Sequence, residues 1–403
     1  MVDATRLPVD TNASALEMAQ EIFGDGVTVV GASYTGDNRS SGIYSEGDTV
    51  SPFVTPGDTG VILSTGRASQ FTNNNGEANQ SSSRSTNTSG QNNDPDFNAL
   101  VGANTYDAAW LDIDFIPTGD TLTMQFVFSS DEYPEYTGSI YNDAVGVWVN
   151  GVPATLTVGN GSTSVGNLND VNNINLYNDN TADQYNTEMD GFTVTLTLTM
   201  TVIPGVVNSI RIGIADVADS SYDSNLLIAG DSLQTALVAM DDSVRIDAGG
   251  SKTIDALAND SYSGGGTLTV THINGIAVSA GDTVTLPNGQ SVTLNADGTV
   301  TITADADEEV AAFTYGISDG AGLTDTGFVT VSTIPCFVAG TLIRTPGGEV
   351  PVETLEPGDL VLTKDNGAQP LRWIGSRRVA AEGAQLFGRN RLGGFWAGLG
   401  DGK

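Results

Sequence analysis

Hydrophobic and polar residues alternate with period two along most of this chain. Segments 27–30 (VTVV), 61–64 (VILS), 122–128 (LTMQFVF), 145–149 (VGVWV), 192–203 and 209–217 therefore predict strands. Threonine alternating with valine suits a sheet with one solvated face. A single short helix is predicted at residues 14–23. There Ser14 can cap, Leu16, Ala19, Ile22 and Phe23 share a face, and Gly24 ends the turn. Residues 70–98 are rich in Asn, Ser, Gly and Gln, a composition that predicts a long exposed loop.

Short strands recur from 241 to 333, at 244–247, 267–273, 291–295, 299–304, 312–318 and 328–332. Asn288-Gly289, between TVTL and SVTL, is a hairpin signal, and Asp297-Gly298 is a second turn pair. About 90 residues of this kind favour an immunoglobulin-like sandwich. A third β pattern starts at Cys336, and from about residue 385 it gives way to glycine-rich text with no clear period. The predicted fold class is all-β: a sandwich-type N-terminal domain with one short helix, an Ig-like sandwich, and a partial β module.

The 403-residue chain carries a net charge of −34. Such a surface repels nucleic-acid backbones and anionic membranes, so neither is expected as a partner. Residues from Cys336 onward balance to +1 with eight Lys/Arg against seven Asp/Glu, so the acidity lies wholly in what precedes them and marks the tail as a separate module. One cysteine excludes an internal disulfide. No apolar run approaches membrane-span length, and residues 1–20 lack the basic start and apolar core of a Sec signal.

Two constellations carry candidate chemistry. In FVFSSDEYPEYTGSIYNDAVGVW (126–148) a strand runs into a turn holding Asp131, Glu132 and Glu135, and Asp143 follows. These carboxylates are expected either to converge on Ca²⁺, which takes six to eight oxygens, or to form a solvated acidic loop anchored by Tyr133 and Tyr136. The pairs Asp112/Asp114 and Asp131/Glu135 have glycosidase-type chemistry, but chance pairs are expected in so acidic a chain. His272, the one histidine, has no motif around it and reads as a strand residue.

Residues 12–239 resemble the choice-of-anchor L family. The carrying segments are GVTV with TG (26–36), GVILSTG (60–66), TYDAAWLDIDF (105–115), SSDEYPEY, NDAVGVWVNG (142–151) and ADVADSSYDSNLLIAGDSL (215–233). That resemblance implies a bacterial protein exposed outside the cell or at its surface, and the lack of a Sec signal in residues 1–20 makes another export route the expectation. Its expected partner is an extracellular protein or glycan, and it implies no reaction. Residues 241–333 resemble cadherin-like repeats of bacterial adhesins, through Ala-Asn-Asp (258–260), LNADGTVTIT (294–303) and FTYGISDGAGLTDTGFVTV (313–331). The likeness implies a spacer that often takes Ca²⁺ at its junctions, with Asp241, Asp242, Asp260 and Asp319 as candidates beside ordinary turn chemistry.

Residues 336–375 resemble the opening of a Hint domain, the hedgehog/intein fold, through Cys-Phe-x-x-Gly-Thr and VETLEPGDLVLT. The implied reaction is an N-to-S acyl shift. The Cys336 thiolate attacks the Pro335 carbonyl and replaces the amide by a thioester. The family protonates the departing nitrogen from a downstream Thr-x-x-His block, and no histidine follows Cys336 here. Loss of a general acid typically costs ~10²–10⁴ in rate. The module over 336–403 is therefore expected to be truncated and inactive, with single-turnover self-cleavage at Pro335–Cys336 as the alternative.

Overall fold

The computed structural model describes residues 2–334, 337–338, 340–363, 367–378 and 393–399. It divides into two compact units. One holds residues up to 244 with 252–303 and 310–331; the other holds 245–251, 304–309 and the region from 332.

Two sheets face each other in the N-terminal region. The larger has eight strands, ordered Val9–Asp10, Ser41–Tyr44, Gly60–Ser64, Ser224–Ala229, Thr121–Ser130, Gly191–Thr193 and Tyr177–Asp179, with Leu196–Thr201 also on Thr121–Ser130. The smaller has six, ordered Val27–Thr35, Thr105–Pro117, Asn208–Val217, Ala144–Val149 and Val152–Pro153, with Thr163–Ser164 on Ala144–Val149. Their shared core follows from the alternation: Leu111, Ile113 and Phe115 meet Leu122, Met124, Phe126 and Phe128, while Asp112 and Asp114 turn outward.

The larger sheet keeps the solvated face that its Thr/Val alternation predicts at Thr199 and Thr201, but not across its centre. Ile62, Val127, Phe192 and Leu227 pack on the far side against Leu7, Val54, Ala68 and Phe71. Segment 192–203 is also two strands, not one. Phe192 pairs with Ser129, but Leu196 pairs with Phe126, so one extra residue accumulates at Val194-Thr195. The freed Phe128 N–H donates instead to Thr193 Oγ1 at 3.1 Å.

The helix spans Ala15–Ile22 with a complete Ser14/Glu17 capping box. Its buried residues are Met18, Ala19 and Ile22, whereas Leu16 is 44% exposed. Spacing from Ala15 through Met18, Ala19 and Ile22 keeps one stripe better than spacing from Leu16. Two further short helices form, Gly47–Val50 and Pro95–Val101. The second, capped by Asp94 and ended by left-handed Gly102, lies partly inside the predicted loop.

Residues 242–334 form two sheets. Asp242–Asp247, Thr324–Ile334, Val310–Ser318, Thr269–Ile273 and Ile276–Ala277 make one; Ser251–Ile254, Val300–Thr303, Ser291–Leu294 and Thr283–Thr285 make the other. The Asn288-Gly289 hairpin is present with a three-residue loop. Leu286 donates to the Gln290 carbonyl and Gly289 holds φ +94. In the second unit, Leu342–Thr345 pairs with Gly348–Pro351, Leu360–Thr363 pairs with Gly367–Arg378, and Val352, Leu355, Val361 and Leu371 form a small core. Pro335 and Cys336 lie outside the described residues.

Candidate functional site

The acidic block forms a turn directly after the Thr121–Ser130 strand, and its carboxylates find different partners. Glu132 accepts the Asp143 N–H at 3.0 Å. Asp143 in turn accepts the Val217 N–H at 2.9 Å and the Ser224 hydroxyl at 2.7 Å. Asp216, likewise buried, neighbours Asp143, and its Oδ1 has no hydrogen-bond partner. Burial pushes Glu132, Asp143 and Asp216 up from the usual carboxylate range.

Asp131 has another partner. Its Oδ2 accepts the Arg84 main-chain N–H at 2.9 Å. Pairing of Gly191 with Ser130 brings Asp190 opposite Asp131. Glu135 is exposed and joins neither group. Tyr133 is buried, donates to the Leu168 carbonyl at 2.5 Å and packs on Tyr177. The sequence-predicted quartet thus separates into a Glu132–Asp143 pair, an Asp131 bound to the Arg84 main chain, and a solvent-facing Glu135.

Asp131 belongs to a series that composition alone concealed. The polar segment 79–92 is strapped to the domain through its main-chain donors. Asn79 donates to Asp183 (2.8 Å), Gln80 to Glu188 (3.0 Å), Arg84 to Asp131 (2.9 Å), Thr86 to Asp223 (2.6 Å), Thr88 to Asp107 (3.2 Å) and Ser89 to Asp37 (3.1 Å). All six carboxylates are buried. The Arg84 guanidinium also pairs with Glu188 at 2.8 Å. Burial raises Asp131, Asp107 and Asp223, while the Arg39 side chain holds Asp37 well below the usual range. The available sequence signal was the placement of Asp131 and Asp223 directly beside Ser130 and Ser224, at strand ends.

In the Ig-like region Asp241 accepts the Phe328 N–H at 3.0 Å, and Asp260 accepts the Met240 N–H and the Tyr315 hydroxyl, both at 2.8 Å. Asp242 Oδ2 and Asp260 Oδ2 are buried without a donor. Burial and the neighbouring Asp260 push Asp242 up to about 6. Asp319 stands apart as a turn cap for Ala321, Gly322 and Leu323. No three Asp, Glu, His or Cys side chains converge to hold a metal ion among the described residues. His272 is exposed and contacts the Thr271 hydroxyl. Asp112 is tied to Arg211 and Trp110, and Asp114 is exposed.

The choice-of-anchor L domain profile matches residues 7–234, a span that includes the strap and all six of its carboxylates. The chain belongs to the choice-of-anchor L family. A bacterial Ig domain profile matches 234–332, and a Hint domain profile matches 335–392. No curated protein matches the chain. Among solved structures it is similar to an M60 catalytic domain with two CBM51 domains from Clostridium perfringens ZmpB, at 11% identity and TM-score 0.16, covering 87% of this chain and 33% of that one. It is also similar to the N-terminal eight Ig domains of Down Syndrome Cell Adhesion Molecule, at 9% identity and TM-score 0.18, covering 73% of this chain and 35% of that one. The chain thus spans about a third of either structure, and neither likeness bears on the fold or chemistry of the choice-of-anchor L domain. No helix among the described residues is long and apolar enough to cross a membrane.

Proposed function

We propose that this choice-of-anchor L protein is a non-catalytic binding module displayed at the bacterial surface, carried with an Ig-like spacer and a Hint segment that does not self-cleave. Its partner is an extracellular protein or glycan. One observation carries the reading. The family's acidic block turns inward, and its carboxylates accept main-chain N–H groups instead of lining an open cleft. Acid–base turnover needs such groups within reach of a substrate proton.

The Hint assignment supplies the reaction to be tested. Attack by the Cys336 thiolate on the Pro335 carbonyl forms a thioester, and the amide nitrogen leaves with a proton. Residues 337–403 hold no histidine to deliver it. Incubating the purified chain with dithiothreitol is expected to leave it intact. A fragment ending at Pro335, absent from Cys336→Ala, would establish active processing instead.

Calcium dependence is a second reading, favoured by the donorless oxygens of Asp242 and Asp260. A hard cation fits this all-oxygen chemistry, and these two residues would hold it, with Asp241 beside them. Bound there, it would neutralise the acidic junction.

A further inference from the structure

We propose that Asp131 and Asp190 form a hard divalent-cation site, of the Ca²⁺ class, beneath the strap at residues 79–84. The inference does not rest on the surface-binding reading and concerns a different place from the Asp242–Asp260 junction.

Both side chains are almost wholly buried, at 0% and 1% exposure, and sit opposite each other where the Thr121–Ser130 and Gly191–Thr193 strands end. Each has one oxygen engaged by the strap: Asp131 Oδ2 by the Arg84 N–H, and Asp190 Oδ1 by the Asn79 side-chain amide at 2.6 Å. The other oxygen of each, Asp131 Oδ1 and Asp190 Oδ2, has no partner. A third donorless oxygen accompanies them. Ser129 Oγ is fully buried, and Ser129 pairs with Phe192, two residues after Asp190, and stands two residues before Asp131.

Two buried carboxylates facing each other need neutralising, because an uncompensated buried charge is expensive. Arg84 is the nearby cation, but its guanidinium pairs with Glu188. Its effect on Asp131 is outweighed by burial and by the neighbouring Asp190. The unsatisfied atoms are all oxygens, which suits Ca²⁺ and disfavours Zn²⁺ or Cu²⁺. Two carboxylates and a hydroxyl leave coordination positions for water, so a third acidic side chain is not required.

The test uses the full chain in CaCl₂ against EGTA, read by thermal melting and by hydrogen exchange. Calcium is expected to raise the wild-type melting temperature. It is also expected to slow amide exchange over residues 79–86, by about tenfold at a Ca²⁺ concentration ten times the dissociation constant. The double variant Asp131→Asn/Asp190→Asn keeps an acceptor for each strap donor. It should melt in EGTA no lower than wild type and lose the calcium response. Asp242→Asn/Asp260→Asn should keep the 79–86 response. Calcium-independent exchange at 79–86 in the wild type overturns the site whether or not the variants fold. So does a calcium response at 79–86 that survives the Asp131/Asp190 change, or one abolished by the Asp242/Asp260 change.

Discussion

Thr86 donates its main-chain N–H to Asp223 Oδ1 at 2.6 Å, and this bond ties a polar loop to the buried start of a core strand. Asp223 has no room to move. A Cβ at Gly66 would lie 2.0 Å from Asp223 Oδ2. Gly66→Ala must therefore displace a carboxylate already pinned by Thr86. The expected loss is about 1–3 kcal/mol of unfolding free energy, the usual cost of overpacking. Urea denaturation of the variant beside the wild type checks it, and an unchanged midpoint would show that the carboxylate is not fixed.

The helix depends on its first turn. Ser14 Oγ accepts the Glu17 N–H at 3.3 Å, while Glu17 Oε2 takes the Ser14 N–H at 2.8 Å. Ser14→Ala removes one half of this reciprocal pair and is expected to cost about 1 kcal/mol. Denaturant midpoints at constant m-value measure it.

Stability should fall as pH rises from mildly acid to mildly alkaline. Burial pushes the carboxyl of Asp325, 1% exposed, up to about 8. In the unfolded chain the same group ionises near its ordinary value of about 4. Between these values the folded chain holds more protons, so unfolding free energy declines with pH, by up to ~1.4 kcal/mol per unit for one such group. Glu132, Asp143 and Asp216 act in the same direction. Asp37, held low by Arg39, acts oppositely, but only below the ordinary carboxylate range. In chelator, the melting temperature is expected to be higher near pH 5 than near pH 8, and Asp325→Asn to flatten the trend. A melting temperature that rises across that interval contradicts the assignment.

The sequence showed where strands lie more clearly than what covers them. Period-two alternation located Asn208–Val217, predicted as 209–217, because exposed Ser209 and half-buried Arg211 alternate with buried Ile210 and Ile212. It misjudged Thr121–Ser130, a central strand with Phe126 and Phe128 in one core layer and Val127 in another. Nothing local reveals a second covering layer contributed by residues such as Leu7 and Phe71. The strap was illegible for a related reason. Asn, Ser and Gly cannot build an apolar core, so composition signals a free loop. Here the partners are carboxylates scattered from Asp37 to Asp223 that only the fold assembles. The carboxylates of the acidic block were visible as chemistry, but not the direction each would face.

Amide hydrogen exchange across residues 79–92, in the absence of added metal, most directly tests whether these acids serve as internal acceptors. Slow exchange at Arg84, Thr86 and Thr88, comparable to that of the flanking strands, is the predicted result. Exchange at those three amides as fast as in a free peptide would contradict it, and would return the acidic block to the status of an open, solvated site.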